Sequence, residues 1–256
     1  MLTLDFGTLL TGQVFGFMLV FARVGTAFML LPGIGEPYVL ARARLLLACG
    51  FTLLLLPLLQ ERLPTMPAAT GAVLALLFVE VTVGLFFGTV MRVLLSALEQ
   101  AGMLISMQIG LSNASLFNPA FATQGTLPGA LLSTAAVLLL FMTGMENILL
   151  GGLVGTYDVF KPGAALELGD MADTMARLTG QSFSLGLQMA VPFVLIGLLM
   201  FVPLGVMNRM MPQLQVLVVA LPLQVGVGLL LFGLTLSTML LFWLHQFEDT
   251  LMSLWR

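Results

Sequence analysis

Four charged residues fall inside or at the edge of strongly apolar stretches of the sequence: Arg23, Glu80, Arg92 and Glu146. A charge at the depth of a lipid bilayer is costly, so such residues usually pair with one another or line a polar path. One interpretation is the proton or ion relay of a transporter. The other is that these side chains pair across helices or subunits and fix packing. We favour packing, because a relay needs a denser series of Asp, Glu and His.

The remaining candidates for chemistry are few. His245, Glu248 and Asp249 have the i, i+3, i+4 spacing that could present metal ligands on a helix, but no second cluster accompanies them. We therefore predict no metal site and no cofactor. The single cysteine, Cys49, excludes an internal disulfide. Because no nucleophile triad, phosphate-binding glycine loop or acid–base carboxylate pair is visible, we predict no catalytic residues and no enzymatic activity.

The composition requires an apolar environment. Of the 256 residues, 59% are hydrophobic and only 8% are charged, whereas soluble chains carry about 25% charged residues. The net charge is −3 and the nine basic residues are scattered, so nucleic acid is excluded as a partner. The expected solvent is lipid or other apolar protein.

Six stretches are long enough to cross a bilayer, whose hydrocarbon core of about 30 Å requires about 20 apolar residues per helix. We predict spans at 9–31, 43–60, 69–93, 129–154, 181–206 and 214–244. No basic residue precedes Arg23, so the first stretch lacks the character of a cleaved signal peptide. The predicted fold class is an all-α membrane protein of about six long, partly kinked helices.

The segments between the spans differ in character. Prolines and glycines predict a turn or broken helix at 32–42, and 60–67 reads as a short polar turn. Residues 94–108 contain no helix breaker and should continue the third helix. The charged segment 155–180 has apolar residues at three- and four-residue steps, which predicts an amphipathic helix at a surface. It is either a docking helix or a solvated connector.

Two pairs of glycines are spaced four residues apart. Gly84 and Gly88 lie in the third predicted span, and Gly151 and Gly155 lie at the end of the fourth. Small residues at this spacing let helix backbones approach closely, so both pairs predict a helix contact within the chain or between subunits. Chance is the alternative in a chain with 27 glycines.

The longest irregular segment is GLSNASLFNPAFATQGTLPG, residues 110–129. The Asn118-Pro119 step disfavours helix, and Ser, Asn, Thr and Gly surround it. Irregular backbone at membrane depth is tolerated only when it is buried in protein or lines a water-filled cavity. The segment is therefore either a channel-blocking loop or an ordinary loop outside the membrane, and its residues leave both possibilities open.

A helical hairpin is predicted at 190–231. Two apolar helices containing prolines flank a short polar turn, and proline bends a membrane helix where neighbours satisfy the freed carbonyl. The prolines and the turn residues are Pro192, Pro203, Pro222, Asn208, Arg209, Pro212 and Gln213.

Three motifs in order resemble the FliR family of the flagellar type III export gate. They are FARVGTAFMLLPGIG at 21–35, QIGLSNASLFNP at 108–119, and NRMMPQLQV with ALPLQVGVGL at 208–216 and 220–229. The similarity covers essentially the whole chain, and the PQLQV turn resembles the flagellar rather than the injectisome branch.

The resemblance implies a single chain built into a helical ring with the smaller proteins FliP and FliQ. This ring would be the entry portal for unfolded flagellar subunits, in contact with FlhB and FlhA. It would lie in the bacterial inner membrane at the flagellar basal body, partly raised above the bilayer. Residues 1–187 would be the FliP-like part and 188–256 the FliQ-like hairpin and C-terminal helix end.

The resemblance also assigns a pore plug to the irregular loop at 110–128. Apolar side chains would close the channel, and the Asn-Pro step would shape the bend. The plug residues are Gly110, Asn113, Leu116, Phe117, Asn118, Pro119 and Phe121.

Overall fold

The structure is a computed structural model that describes residues 6–113, 126–164, 166–210 and 216–254. Within these ranges it contains seven α-helices and no strand. They are α1 (Phe6–Leu30), α2 (Ala41–Leu59), α3 (Thr70–Gln108), α4 (Leu127–Met142), α5 (Met145–Val159), α6 (Leu168–Met210) and α7 (Val216–Leu254).

Five described helices are long and apolar enough to cross a membrane, and the α4–α5 pair would be a sixth span if counted as one. The predicted all-α membrane class is confirmed. The predicted breaks at 32–42 and 60–67 are present, and 94–108 continues α3 as predicted.

Three helices are longer than a bilayer requires. α3 and α7 have 39 residues each and α6 has 43. At 1.5 Å per residue they extend about 60 Å, which is twice the thickness of the hydrocarbon core. Part of each helix must therefore lie outside the hydrocarbon or cross it at a steep inclination.

The fourth predicted span, 129–154, is wrong as a single helix. It is broken between α4 and α5 at Gly144, whose φ of +73° is a left-handed conformation that glycine adopts without strain. The mean hydropathy of a window of about 20 residues does not show this break, because the residues on both sides of Gly144 are apolar. The break puts Glu146 in the first turn of α5 rather than in the middle of a span.

The segment 155–180 does not form a separate amphipathic helix. α5 ends at Val159, and the second half of the segment is the beginning of the long helix α6. Among the apolar residues of this segment, Met171 and Leu178 are buried, whereas Leu168 is exposed.

The prediction that Asn208 and Arg209 belong to the hairpin turn is wrong. Asn208 and Arg209 belong to the last turn of α6, where a basic side chain interacts favourably with the helix dipole. Pro212 and Gln213 lie outside the described residues.

The hairpin prolines lie inside helices that continue through them. Pro192 and Pro203 are in α6, and Pro222 is in α7. A membrane helix tolerates proline when neighbouring groups satisfy the freed carbonyl. These prolines therefore do not end the helices in which they occur.

The chain packs as two compact units. The first contains the described residues up to Val93 together with Thr143–Arg177, and the second contains Leu94–Met142 and Leu178–Leu254. This division follows packing within the chain. The division at 187 into FliP-like and FliQ-like parts concerns likeness to other proteins and stays a prediction.

Close packing of α1 dominates the first unit. α1 packs against α2, with the rings of Phe28 and Phe51 5.6 Å apart. It also packs against α3 at the two glycines: a Cβ on Gly84 would overlap the Arg23 carbonyl, and one on Gly88 would lie 2.7 Å from Leu30 Cβ. The predicted contact at Gly84 and Gly88 is confirmed.

The second predicted glycine pair makes no comparable contact at its first member. A Cβ on Gly151 would meet no described atom within 4 Å. Gly151 therefore has room for a side chain within this chain, and a contact of this pair with another subunit stays a prediction.

The substitution Gly84→Ala tests the packing of α3 on α1. The added methyl would collide with backbone, so we expect a loss of about 1–3 kcal/mol in the free energy of unfolding. Thermal unfolding in detergent measures it. Gly180→Ala in α6 is the matched control, because a Cβ there meets nothing within 4 Å, and it should leave the midpoint unchanged or slightly raised. Equal behaviour of the two variants would contradict the close contact.

The second unit is built around the last part of α3. α4 packs against α7, and a Cβ on Gly102 of α3 would overlap the Gly129 backbone at the start of α4. Trp243 of α7 is fully buried, and its indole Nε1 donates a hydrogen bond to the Leu94 carbonyl at 2.9 Å. These contacts fix α4 and α7 beside the stretch of α3 that leads into the 110–128 loop.

Candidate functional site

A buried ion pair lies in the first unit. Arg23 of α1 and Glu80 of α3 are 0% and 1% exposed, and Arg23 Nε donates to Glu80 Oε2 at 2.6 Å. The two residues are 57 positions apart in sequence, so helix packing alone brings them together. The predicted intramembrane charges therefore include a pair formed within the chain.

The remaining donors of Arg23 are also satisfied. Its two terminal nitrogens donate to Thr156 Oγ1 at 3.2 Å and to the Phe160 carbonyl at 2.9 Å. Its guanidinium carbon lies 4.0 Å from the centre of the Tyr157 ring, which is cation–π geometry. One side chain thus joins α1, α3 and the end of α5.

This arrangement favours packing over transport. A desolvated ion pair is tolerated when good geometry and further hydrogen bonds offset the loss of hydration, and both conditions are met at Arg23. A proton relay needs a group that can release its partner, whereas the guanidinium of Arg23 is held by Glu80, Thr156 and the Phe160 carbonyl at once.

Arg92 has a different partner. Its Nη1 donates to Glu36 Oε1 at 3.0 Å, and the Arg92 side chain is 40% exposed. Arg44 holds the same turn, since its guanidinium donates to the carbonyls of Ile34 and Glu36 at 3.0 Å each. The charges at 36, 44 and 92 therefore fasten the turn between α1 and α2.

Glu146 stands apart from these pairs. Its Oε1 accepts a weak hydrogen bond of 3.5 Å from Asn147, and its Oε2 is buried with no hydrogen-bond partner among the described residues. A carboxylate in the first turn of a helix is stabilised by the helix dipole. Its position therefore has a local explanation that does not involve Arg23 or Glu80.

Of the three residues spaced like metal ligands, His245, Glu248 and Asp249, the structure places two side chains near each other. His245 Nε2 and Asp249 Oδ2 are 3.5 Å apart, and both residues are exposed. In the part of the chain that the structure describes, no three His, Cys, Asp or Glu residues lie close enough to hold a metal ion.

Only the ends of the predicted plug loop are described. Gly110 adopts a left-handed φ of +81°, and the backbone of Asn113 belongs to a 3-10 turn at Leu111–Asn113. The other plug residues fall outside the described residues; they are Leu116, Phe117, Asn118, Pro119 and Phe121.

The first end of the loop is held by buried contacts. Ser106 in the last turn of α3 and Ser112 in the 3-10 turn have their hydroxyl oxygens 3.4 Å apart. Gln224 of α7 donates from Nε2 to the Gln108 carbonyl at 2.7 Å. Ile109 is 3% exposed. The loop therefore leaves α3 from a fixed point.

The second end of the loop returns to α3. The Thr126 hydroxyl accepts a hydrogen bond from the Gly129 amide at 3.3 Å and caps the first turn of α4. Gly129 packs directly on Gly102 of α3, a helix that ends at Gln108. Both ends of the loop are thus anchored on the last turns of α3.

Several partners of these residues were not singled out in the sequence. Thr156, Tyr157, Glu36 and Gln224 are ordinary residue types without a distinctive spacing. The one available signal is that Gln224 lies inside an apolar helix, where an uncharged polar side chain generally needs a hydrogen-bond partner.

Comparison with known proteins places the chain among bacterial export proteins. Residues 14–250 match the family model described as bacterial export proteins, family 1. The flagellar biosynthetic protein FliR of Caulobacter vibrioides is 35% identical over 93% of this chain and 95% of its own length. FliR of Bacillus subtilis is 29% identical over 86% of both chains. The Yop proteins translocation protein T of Yersinia pestis is 26% identical over 84% of this chain and 83% of its own.

Proposed function

This chain belongs to the FliR family of bacterial export proteins, and from that membership we propose that it is a non-enzymatic subunit of the flagellar type III export gate. The coarser statement, a membrane-embedded component of a type III export apparatus, follows from the family together with the long apolar helices. The observation that carries the proposal is the match over almost the whole chain, residues 14–250. The 35% identity to FliR of Caulobacter vibrioides, against 26% to the translocation protein of Yersinia pestis, supports the flagellar branch.

In this proposal the chain forms a helical ring with FliP and FliQ in the bacterial inner membrane. The ring is the entry portal for unfolded flagellar subunits, with FlhB and FlhA as neighbours. The 60 Å length of α3, α6 and α7 supports a complex that extends beyond the bilayer plane, because such helices exceed the hydrocarbon core about twofold.

The proposed role of residues 110–128 is to block the channel of this ring. Support comes from the two anchored ends, which return the loop to the same helix, and from its sequence, which combines apolar residues that block with Gly, Ser and Asn that bend. The alternative of a small-molecule or ion transporter has less support, because Arg23 and Glu80 are buried against each other.

Native mass spectrometry of the tagged chain, co-expressed with FliP and FliQ and extracted in mild detergent, tests the proposal. We expect one large complex that holds a single copy of this chain among several copies of the partners. The same chain expressed without partners is the control for non-specific association. A monomer or homodimer in the presence of both partners would contradict the export-gate assignment.

A further inference from the structure

The turn between α1 and α2 lies at one end of two helices of membrane-spanning length. Gly12–Leu30 and Ala41–Arg62 are each long and apolar enough to cross a bilayer, and the two helices pack against each other. The short connection between two adjacent spans emerges at one face of the membrane, where the phospholipid headgroups lie. We call residues 31–44, which comprise this connection and the start of α2, the basic turn.

The exposed side chains of the basic turn are of the kinds found at a membrane interface. Tyr38 and Leu40 are both largely exposed. Tyrosine is enriched at the level of the headgroups, because its ring is apolar at one end and hydrated at the other. The leucines at 45–47 follow directly in α2 and are also exposed. The basic turn therefore adjoins a helix surface that is suited to hydrocarbon.

The charges around the basic turn are not balanced within it. The carboxylate of Glu36 pairs with Arg92, whereas Arg44 donates to the backbone carbonyls of Ile34 and Glu36. Arg42 is exposed and forms no hydrogen bond or ion pair with any residue that the structure describes. Within the described residues, Arg42 and Arg44 therefore have no carboxylate partner.

The position of these arginines in α2 is unfavourable in the absence of an anion. Arg42 and Arg44 lie in the first turn of the helix, and that turn contains no acidic residue. The N-terminal end of a helix carries a partial positive charge, which attracts anions and repels cations. An external anion would therefore be attracted both by the arginines and by the end of the helix.

We propose that the basic turn binds the phosphate of an anionic phospholipid, with Arg42 as the side chain that contacts it. A guanidinium can donate two parallel hydrogen bonds to one phosphate. A lipid fits this surface better than an acidic protein segment does, because the exposed neighbours of the arginine are apolar or aromatic. The proposal concerns the contact of this chain with lipid and does not depend on the proposed role in export.

Native mass spectrometry of the full chain in mild detergent, titrated with phosphatidylglycerol, tests the proposal. We expect phosphatidylglycerol to bind more tightly than phosphatidylcholine with the same acyl chains, because only phosphatidylglycerol has a net negative charge. Arg42→Gln should weaken the binding of phosphatidylglycerol about fivefold, the effect of one basic side chain at an anionic membrane surface. Arg42→Lys keeps the charge and should retain most of the affinity.

Arg62→Gln is the matched control. It removes the same charge from the other end of the same span, where Arg62 already pairs with Asp158. The affinity for phosphatidylglycerol should therefore stay unchanged. If Arg42→Gln binds this lipid as tightly as the unaltered chain, or if the two glutamine variants lose affinity equally, the proposal is wrong.

Ala43→Glu separates lipid binding from a structural role of the turn. Ala43 is exposed in the first turn of α2, where a carboxylate stabilises the helix. The variant should therefore keep or raise the midpoint of thermal unfolding in detergent, while its added negative charge weakens the binding of phosphatidylglycerol. Unchanged lipid binding in a folded Ala43→Glu chain would contradict the proposal even if Arg42→Gln failed to fold.

Co-expression with FliP and FliQ distinguishes lipid from a partner subunit. If Arg42→Gln lowers the recovery of a complex while the chain alone binds phosphatidylglycerol normally, the arginine pairs with a carboxylate of a partner and the proposal is overturned. If the unaltered chain binds neither FliP nor FliQ but prefers phosphatidylglycerol through Arg42, the proposed function fails and the lipid site stands.

Discussion

Replacing Glu80 by glutamine is expected to lower the free energy of unfolding by about 3–5 kcal/mol, the cost of leaving one partner of a buried ion pair charged and unpaired. Arg23 would keep Thr156, Phe160 and Tyr157 but lose the only counter-charge within hydrogen-bond distance among the described residues. The expected result is a lower yield of the export complex and a lower midpoint of thermal unfolding in detergent.

The exposed pair of Arg62 and Asp158 provides the matched control. Their side chains are 52% and 65% exposed, and an ion pair of this kind contributes about 0–1 kcal/mol. Arg62→Met should therefore leave yield and midpoint nearly unchanged. If Glu80→Gln is as mild as Arg62→Met, the Arg23–Glu80 pair does not support the fold in the way that its burial indicates.

Export per assembled complex distinguishes packing from transport at the same residue. A packing carboxylate should leave the rate per complex unchanged once the lower yield is corrected for, whereas a relay should lose its rate in complexes that assemble normally. The double variant Arg23→Met/Glu80→Met should recover part of the stability lost in Glu80→Gln, because an apolar pair leaves no unpaired charge. If Glu80→Gln gives a normal yield of complex but no export, the result would favour the alternative of a transporter.

Deleting residues 113–121 is expected to open the resting gate to small ions while leaving the complex assembled. The anchors at Gln108, Ile109 and Gly129 lie outside the deletion and should survive it. Leakage of a membrane-impermeant ion or dye measures the effect, and native mass spectrometry of the same preparation controls for assembly. We expect permeability to approach that of an unblocked channel.

A variant that keeps the loop length separates blocking from simple shortening. Leu116→Ser with Phe117→Ser preserves the loop but removes its apolar closure, and we expect it to leak as well. If the deletion complex assembles and its membrane stays tight, residues 110–128 do not form the plug. They would then be an ordinary loop outside the membrane, the other interpretation that the sequence allows.

Local features of the sequence predicted much of the fold. Hydropathy located the spans, because burial in lipid depends on the composition of some 20 successive residues. Proline and glycine act on the backbone where they occur. Their presence predicted the breaks at 32–42 and 60–67, and the absence of helix breakers predicted the continuation of α3 at 94–108. The contact at Gly84 and Gly88 followed from a spacing of one helical turn.

Three predictions are wrong: the single helix at 129–154, the separate helix at 155–180, and the turn at residues 208 and 209. Gly144 breaks the helix at 129–154 because its backbone adopts a φ of +73°. The mean hydropathy of the surrounding residues does not indicate this backbone conformation. The spacing of apolar residues in 155–180 predicts an amphipathic surface helix, whereas the second half of this segment is the beginning of α6. The polarity of Asn208 and Arg209 predicts a turn, yet polar residues are equally suited to the last turn of a helix.

The sequence by itself determined the membrane class, the family resemblance, and the few charged and polar residues that an apolar environment makes conspicuous. Only the tertiary structure decided their partners: Glu80 for Arg23, Glu36 for Arg92 and Gln108 for Gln224. The physical reason is that hydropathy reports how deep a residue lies along a helix but not which way the helix is rotated. The rotation of each helix about its axis is fixed when its glycines and large side chains pack against those of a neighbouring helix. Residues 56 to 116 positions apart in the sequence then form hydrogen bonds with each other.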